Sequence, residues 1–187
     1  MEITISNAKK ADAYQIAPLI YEAIGDIAFR ITGETNEINM LTKLQLLITQ
    51  EDNRHSYLNT FVAKANGDVV GIIVLYDGKT GFTLDRSLEK TIFEQYGVSV
   101  RIDVEAHDEE FYIDTLCVSD KVRGQGLGTT LLRFAKQEGK RRGYKQLSLN
   151  VEEQKEKARA LYEKLGFVTT EPWTIIDEPF YHMVKEI

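Results

Sequence analysis

Residues 121–128 read Lys121-Val122-Arg123-Gly124-Gln125-Gly126-Leu127-Gly128, with glycine at three alternate positions. No other feature limits the fold so tightly. Residues without a Cβ let a turn adopt positive φ and let the backbone approach a ligand closely. Just upstream, residues 111–118 are β-rich and apolar on both faces, as a central strand is. Just downstream, residues 129–142 place Leu131, Leu132 and Ala135 at helical spacing. That helix carries Lys140, Arg141 and Arg142 in its last turn and stops at Gly143. Strand, glycine turn and helix start, in that order, build an anion site. The first amides of a helix have no intrahelical acceptor, and the positive end of its dipole adds to them.

The charge distribution agrees. The 187 residues hold 23 Lys+Arg and 29 Asp+Glu, a net charge of −6, which argues against general affinity for nucleic acid or an acidic membrane. Residues 120–164 run the other way, with 12 basic and 6 acidic side chains. A local anion site in an otherwise acidic protein is one reading, and solvated helix charge is the other. A single cysteine, Cys117, excludes a disulfide framework and suits a reduced, cytoplasmic setting. His55, His107 and His182 lie far apart, so no zinc-ligand spacing is visible and no metal is expected. The longest apolar run, residues 69–76, is far short of the roughly 20 residues of a membrane span, and no signal peptide is visible.

Several known phosphate loops fit poorly. A Walker A loop requires Gly-Lys-Ser/Thr after four spacers, which is absent. A dinucleotide fingerprint requires a third glycine at 129, which is Thr129, although Glu152 lies near the ribose-binding position of such a fold. A plain tight turn remains the structural alternative.

No repeat, low-complexity tract or linker interrupts the chain, so residues 1–187 read as one domain. Residues 2–6 alternate as a strand. Asp12 and Gln15 have capping-box spacing ahead of Ile16, Leu19, Ile20, Ala23 and Ile24, and Pro18 predicts a kink or a late start. Residues 25–36 read as a break and 37–49 as a helix. Residues 60–65 and 69–76 flank Asn66-Gly67-Asp68, a hairpin signal. Residues 84–96 read as a helix and the acidic stretch 103–110 as a solvated connection. Strand 146–151, helix 155–165, and strands 167–176 and 180–187 complete the pattern.

The segment Tyr112-Ile113-Asp114-Thr115-Leu116-Cys117-Val118, followed by Arg123-Gly124-Gln125-Gly126-Leu127-Gly128, resembles the acetyl-CoA loop of the GNAT N-acetyltransferase superfamily. Ala158-Arg159-Ala160-Leu161-Tyr162-Glu163-Lys164-Leu165-Gly166-Phe167 resembles that superfamily's second motif. The resemblance implies an α/β fold with a twisted, mostly antiparallel sheet, helices on both faces, and a V-shaped splay between two central parallel strands. The backbone of Leu116, Cys117 and Val118 would then pair with pantetheine as an added strand does. Amides from Arg123 through Gly124, Gln125, Gly126, Leu127 and Gly128 to Thr129 would hold the pyrophosphate. Lys121, Arg123, Lys155 and Arg159 would meet the nucleotide phosphates, with Asn150 beside the cofactor. Two positions depart from the family pattern: Lys121 stands where Gln or Arg is frequent, and Lys155 where Asn is common.

The chemistry so implied is acetyl transfer from acetyl-CoA to a primary amine by direct attack. It needs a proton acceptor for the amine, an oxyanion donor near Val118, and a proton for the thiolate. Tyr162 matches the family's general acid. Asp114 is the first candidate base, with Glu110, Glu178 or a water chain as alternatives. Asn150 stands where some members carry a basic glutamate. Cys117 reads as a small buried residue rather than a nucleophile, and His182 as a core or surface histidine. Residues 26–33, 77–110 and 173–181 are expected to build the acceptor site, with Phe29, Arg30, Trp173, Phe180 and Tyr181 as walls. The acceptor is a small-molecule or peptide amine, the partner set excludes nucleic acid and membrane, and the assembly suggested is a homodimer. The rival class is a non-catalytic acetyl-CoA-binding sensor or subunit, with a dinucleotide oxidoreductase third.

Overall fold

The computed structural model describes residues 2–187. Ile3 and Ile5 start β1 (Ile3–Asn7). Helix α1 (Ala13–Ile24) follows directly after Asp12 and contains Pro18, so the late start is not seen. The expected capping box does not form. Asp12 instead accepts from Lys9 N at 2.9 Å and Lys64 Nζ at 2.6 Å, and Gln15 Oε1 accepts from Val69 N at 2.8 Å. Both side chains thus tie α1 to the sheet. Ile16 and Ile20 are fully buried, each contributing about 1.5–3 kcal/mol of apolar burial.

The expected break at 25–36 contains a short helix, α2 (Ile27–Thr32). Helix α3 (Glu37–Thr49) is capped by Asn36, whose Oδ1 accepts from Ile38 N at 2.9 Å and Asn39 N at 3.2 Å. Strands β2 (Thr60–Ala65) and β3 (Asp68–Asp77) form the hairpin turned at Asn66-Gly67. Helix α4 (Gly78–Tyr96) starts six residues before the expected 84. Weak helix formers, Gly78, Thr80, Gly81 and Thr83, conceal its first turns. Only glycine fits at 78, because a Cβ there would lie 1.9 Å from the His107 carbonyl oxygen.

The remaining elements are β4 (Glu110–Val118), α5 (Leu127–Arg141), β5 (Gln146–Glu152), α6 (Glu156–Lys164), β6 (Val168–Ile175) and β7 (Glu178–Glu186). Among the described residues, seven strands form one sheet in the order β1-β2-β3-β4-β5-β7-β6. Every neighbouring pair is antiparallel except β4 with β5. One apolar cluster joins α1, α2, α3 and α4 to a sheet face through Ile16, Leu44, Leu88 and Ile72. The other joins α5 and α6 to the opposite face through Leu131, Ile73, Phe111 and Leu149, with Ala158 and Tyr162 packed against it.

Two irregularities open the middle of the sheet. Val74 pairs with Thr115 and Leu75 with Ile113, so Asp114 is the extra residue of a bulge in β4. The parallel β4–β5 register runs from Glu110 with Gln146 to Ile113 with Leu149. Beyond it β4 continues to Val118 and β5 to Glu152 without pairing each other, which is the V-shaped splay.

Candidate active site

A cavity of about 1030 Å³ occupies the splay. Its wall includes Val118, Arg123, Gly128, Lys155 and Tyr162 toward α5 and α6, and Arg54, His55, Glu105 and Asp114 toward the opposite end.

The glycine turn borders the first end. Val122 and Leu127 are buried and anchor it, while Lys121, Arg123, Gly124, Gln125 and Gly126 are exposed. Gly124 and Gly126 have φ of +76° and +83°, and a Cβ at either would meet no atom within 4 Å. Glycine is therefore required there by backbone conformation rather than by crowding. Thr130 N–H closes the first helical bond to Gly126 O at 3.1 Å. The amides of Leu127, Gly128 and Thr129 precede that bond and lie at the free N-terminal end of α5.

Arg123, expected to meet a nucleotide phosphate, is held here by partners within the protein. Its Nε donates to Val118 O at 2.9 Å and its guanidinium pairs with Glu22 of α1, so it lies across the cleft. Lys155 Nζ pairs with Glu152 at 2.6 Å, and Arg159 pairs with Glu163 at 2.9 Å while its guanidinium covers the Tyr181 ring. Ser119 N–H turns to Val70 O at 2.9 Å, so by strand alternation the Val118 N–H and C=O face the cleft. Burial alone raises the Tyr162 hydroxyl above the usual phenol range. Burial also pushes the Cys117 thiol up to about 11, which suits a packing residue rather than a nucleophile.

The other end is organised by Arg54, 6% exposed, from the loop between α3 and β2. Its Nη1 donates to Glu105 Oε1 at 2.6 Å and its Nη2 to Tyr76 OH at 2.5 Å. Its Nε lies 3.1 Å from both Asp85 Oδ1 and Asp114 Oδ2, aligned for a hydrogen bond with neither. Asp114 also accepts from Tyr76 OH at 2.9 Å and Thr115 Oγ1 at 2.7 Å. Against the effect of burial, Arg54 holds the Asp114 carboxyl below its ordinary range. Asp114 therefore stands at the cavity as expected, but as a tightly held carboxylate of low basicity. Burial, with Asp114 beside it, raises Glu105, and burial pushes Asp85 up to about 7. Burial lowers His55 to about 4, leaving it a neutral imidazole near neutral pH, with Nδ1 enclosed and unpartnered.

The connection 103–110 is not the solvated segment that its composition suggests. Glu105 lies in the cavity wall, and Glu110 is 3% exposed. Asn150, expected beside the cofactor, fastens this connection to the sheet. Its Nδ2 donates to Glu105 O at 2.8 Å and Tyr112 OH at 3.1 Å, and its Oδ1 lies 2.7 Å from His182 Nδ1. Among the expected walls, Phe29, Arg30 and Phe180 line the cavity. Trp173 instead donates to Val104 O at 2.9 Å and packs on His182, and Tyr181 lies under Arg159.

His182 is fully buried and its Nε2 lies 3.0 Å from Glu110 Oε1. The fold also brings His107, Glu110 and His182 donor atoms within 4.8 Å of one another, a set invisible in sequence spacing. His107 Nε2 lies 2.9 Å from Glu171 Oε1 and its backbone N–H donates to Glu110 Oε2 at 3.0 Å, so these groups already form a hydrogen-bonded chain from the buried His182 to the surface. Arg54, His55, Tyr76, Asp85, Glu105 and Tyr112 were all missed from sequence. The one available signal was Asp114 itself, since a carboxylate inside an apolar central strand demands a buried cation.

The acetyltransferase (GNAT) family model matches residues 21–167, and the chain belongs to that family. Acetyl-CoA is the co-substrate of the family. A solved acetyltransferase structure is 31% identical, covering 98% of this chain and 99% of the other, with a TM-score of 0.83. An N-acetyltransferase structure from Staphylococcus aureus Mu50 is 23% identical over 97% and 99%, with a TM-score of 0.82. A curated relative, the chloroplastic GCN5-related N-acetyltransferase 6 of Arabidopsis thaliana, is 33% identical over 43% of this chain. The matched stretch spans 28% of that relative. Among the described residues no helix is long and apolar enough to cross a membrane.

Proposed function

We propose that this protein transfers the acetyl group of acetyl-CoA to a primary amine of a small molecule or peptide, by direct attack within a ternary complex. The observation that carries this reading is the single cavity joining the glycine turn to the buried acidic end, with Tyr162 in its wall. Amides from Arg123 to Thr129 and the Lys121 charge hold the pyrophosphate, with Lys155 and Arg159 near the nucleotide. The unpaired edge of β4 at Leu116, Cys117 and Val118 receives pantetheine, and Arg123 must leave Val118 O to admit it. The Val118 N–H stabilises the tetrahedral oxyanion. Tyr162 gives its proton to the departing thiolate. A cytoplasmic location and a homodimer belong to the same proposal; the first rests on the single, buried Cys117 and the second on the family resemblance.

Thiol release from acetyl-CoA, measured across a panel of amines with mass detection of the acetylated product, tests the reading. Amine-dependent release and a melting shift with acetyl-CoA but not NADH are expected. A melting shift with no release from any amine favours the sensor, and a shift with NADH alone favours the oxidoreductase.

A further inference from the structure

A polar row crosses one face of the sheet, starting from Asn150 in the cavity wall. Asn150 of β5 stands opposite His182 of β7, and His182 opposite Glu171 of β6. Residues directly opposite share a face, so the three side chains lie in line. A one-residue bulge at Thr170 brings Glu171 into the row, where regular pairing would have put Thr170. Glu110 of β4 and His107 of the preceding connection reach the same place. Hydrogen-bond accounting at His182 then leaves room for a cation. Asn150 Nδ2 donates to the Glu105 carbonyl, which only accepts, so Asn150 Oδ1 is the atom 2.7 Å from His182 Nδ1. Nδ1 therefore carries the ring hydrogen. Nε2 aims its lone pair at Glu110 Oε1, 3.0 Å away and itself an acceptor. The other Glu110 oxygen already accepts from Ser148 Oγ at 2.8 Å and from His107 N at 3.0 Å. With His182 and Glu110 only 0% and 3% exposed, a positive particle must lie between them. A proton satisfies that pair alone. A divalent cation satisfies His107 and Glu171 as well, since two neutral imidazoles and two carboxylates cancel its charge.

We propose that His107, Glu110, Glu171 and His182 bind a divalent transition-metal cation of the zinc type, which clamps the α4–β4 connection to the sheet. Sequence spacing points to no metal, and the site exists only because the bulge and the connection converge. Imidazole with carboxylate suits zinc-like ions, whereas magnesium and calcium take oxygen ligands. Tetrahedral ligands at about 2.0–2.1 Å from zinc lie about 3.3 Å apart, close to the 3.0 Å between His182 Nε2 and Glu110 Oε1. The His107 and Glu171 side chains, each 45% exposed and 2.9 Å apart, have the freedom to close on the ion. The surrounding hydrogen bonds are those a metal site uses. A ligating imidazole donates its other N–H to an oxygen, here Asn150 Oδ1, and a ligating carboxylate is itself held, here by Ser148 and His107 N. The clamp joins β4, β6 and β7 to the segment that carries Glu105 into the cavity wall. Trp173 of β6 fastens the same segment at Val104 O. None of the four ligands lines the cavity, so the cation steadies the acceptor end without touching acetyl-CoA.

Untagged full-length protein, stripped with EDTA, tests this with Co2+ and Zn2+ as probes. One equivalent of Co2+ should bind with the visible absorption of a tetrahedral site, and Zn2+ should displace it. Zn2+ should raise the melting temperature, and Mg2+ at the same concentration should not. His107→Ala and Glu171→Gln change exposed side chains, so both variants should fold, and each should weaken Zn2+ binding at least tenfold. Competing sites are few: the one other histidine, His55, and the one cysteine, Cys117, are both buried elsewhere. No saturable binding by the wild type would leave a proton as the bridge and overturn the site. Unchanged Zn2+ affinity in either variant would overturn it equally. The acetyl-CoA melting shift should persist in the stripped protein, and its loss would overturn the purely structural role.

Discussion

The cofactor end of the cavity comes from one continuous stretch, β4 through α6, whereas its acceptor end gathers side chains from four separate places. Arg54 and His55 come from the α3–β2 loop, Asp85 from α4, Glu105 from the following connection, and Tyr112 and Asp114 from β4. The first end relies on backbone amides, positive-φ glycines and exposed cations; the second relies on buried, mutually dependent charges. A backbone anion site tolerates changes in the side chains around it. A buried charge cluster fails as a unit when its single cation is lost.

The largest expected effect separates ligand binding from folding at the first end. Gly126→Val puts a β-branched residue at φ +83°, where no protein atom lies within 4 Å of its Cβ. The backbone cost is roughly 1–2 kcal/mol, so the fold survives. On the proposed binding mode the side chain would occupy the space through which the pyrophosphate approaches. The acetyl-CoA melting shift, worth about 2.7 kcal/mol at a hundredfold excess over Kd, should vanish. A retained shift would show that the turn holds no anion.

At the second end the corresponding variant strikes the fold itself. Arg54→Met fills similar volume but leaves Asp85, Glu105 and Asp114 without their shared cation. Denaturant unfolding should show a loss of about 3–5 kcal/mol. The deficit should deepen as pH rises. The unpaired carboxyls hold protons in the native state at pH values where the unfolded chain has released them, so native stability falls through that window. Asp85, already pushed up to about 7 with Arg54 in place, sets its minimum upper bound. A loss below 1 kcal/mol, or one independent of pH, would mean that the cluster is hydrated rather than buried.

The same contrast explains what the sequence revealed. The glycine spacing, the hairpin at Asn66-Gly67 and the helix stop at Gly143 are local signals, each set by backbone geometry within a few residues. The splay was legible only through the family resemblance, because its cause is a one-residue bulge at Asp114 that composition does not encode. Helix α4 began early behind weak helix formers, and the acidic run 103–110 concealed a buried glutamate, Glu110, and a glutamate of the cavity wall, Glu105. Glu105 and Arg54 are 51 positions apart, and no periodicity connects them. Their burial follows from packing, whereas acidic composition by itself suggests solvent.

Tyr162 tests whether the transfer chemistry belongs to the legible half. Tyr162→Phe keeps the ring against Phe167, with centroids 6.0 Å apart, and removes only the hydroxyl. We expect cofactor affinity to hold and kcat to fall about 10- to 100-fold, the low end for a general acid because a thiolate leaves tolerably well. The loss should shrink with an acetyl donor of more acidic thiol. Unchanged kcat, with chemistry shown to limit the rate, returns Tyr162 to packing.

The smallest effect is expected at Lys155, where the family pattern favours Asn. Its Nζ pairs with Glu152 at 2.6 Å, but the two side chains are 50% and 41% exposed, so solvent screens the pair. Lys155→Ala should leave unfolding unchanged, unlike Arg54→Met. If Lys155 meets a nucleotide phosphate, the KM for acetyl-CoA should rise about two- to fivefold at low salt, as for an exposed ion pair. At 1 M salt the screening length shrinks to about 3 Å, and the difference from wild type should close. Lys155→Asn then separates charge from hydrogen bonding. Recovery of KM by asparagine at high and low salt alike would show that a directed amide donor serves this position. Failure at low salt alone would show that the chain replaced that donor with a point charge. A Lys155→Ala defect that persists in high salt would instead place the ammonium in a desolvated contact, bringing the cofactor end closer in character to the Arg54 cluster.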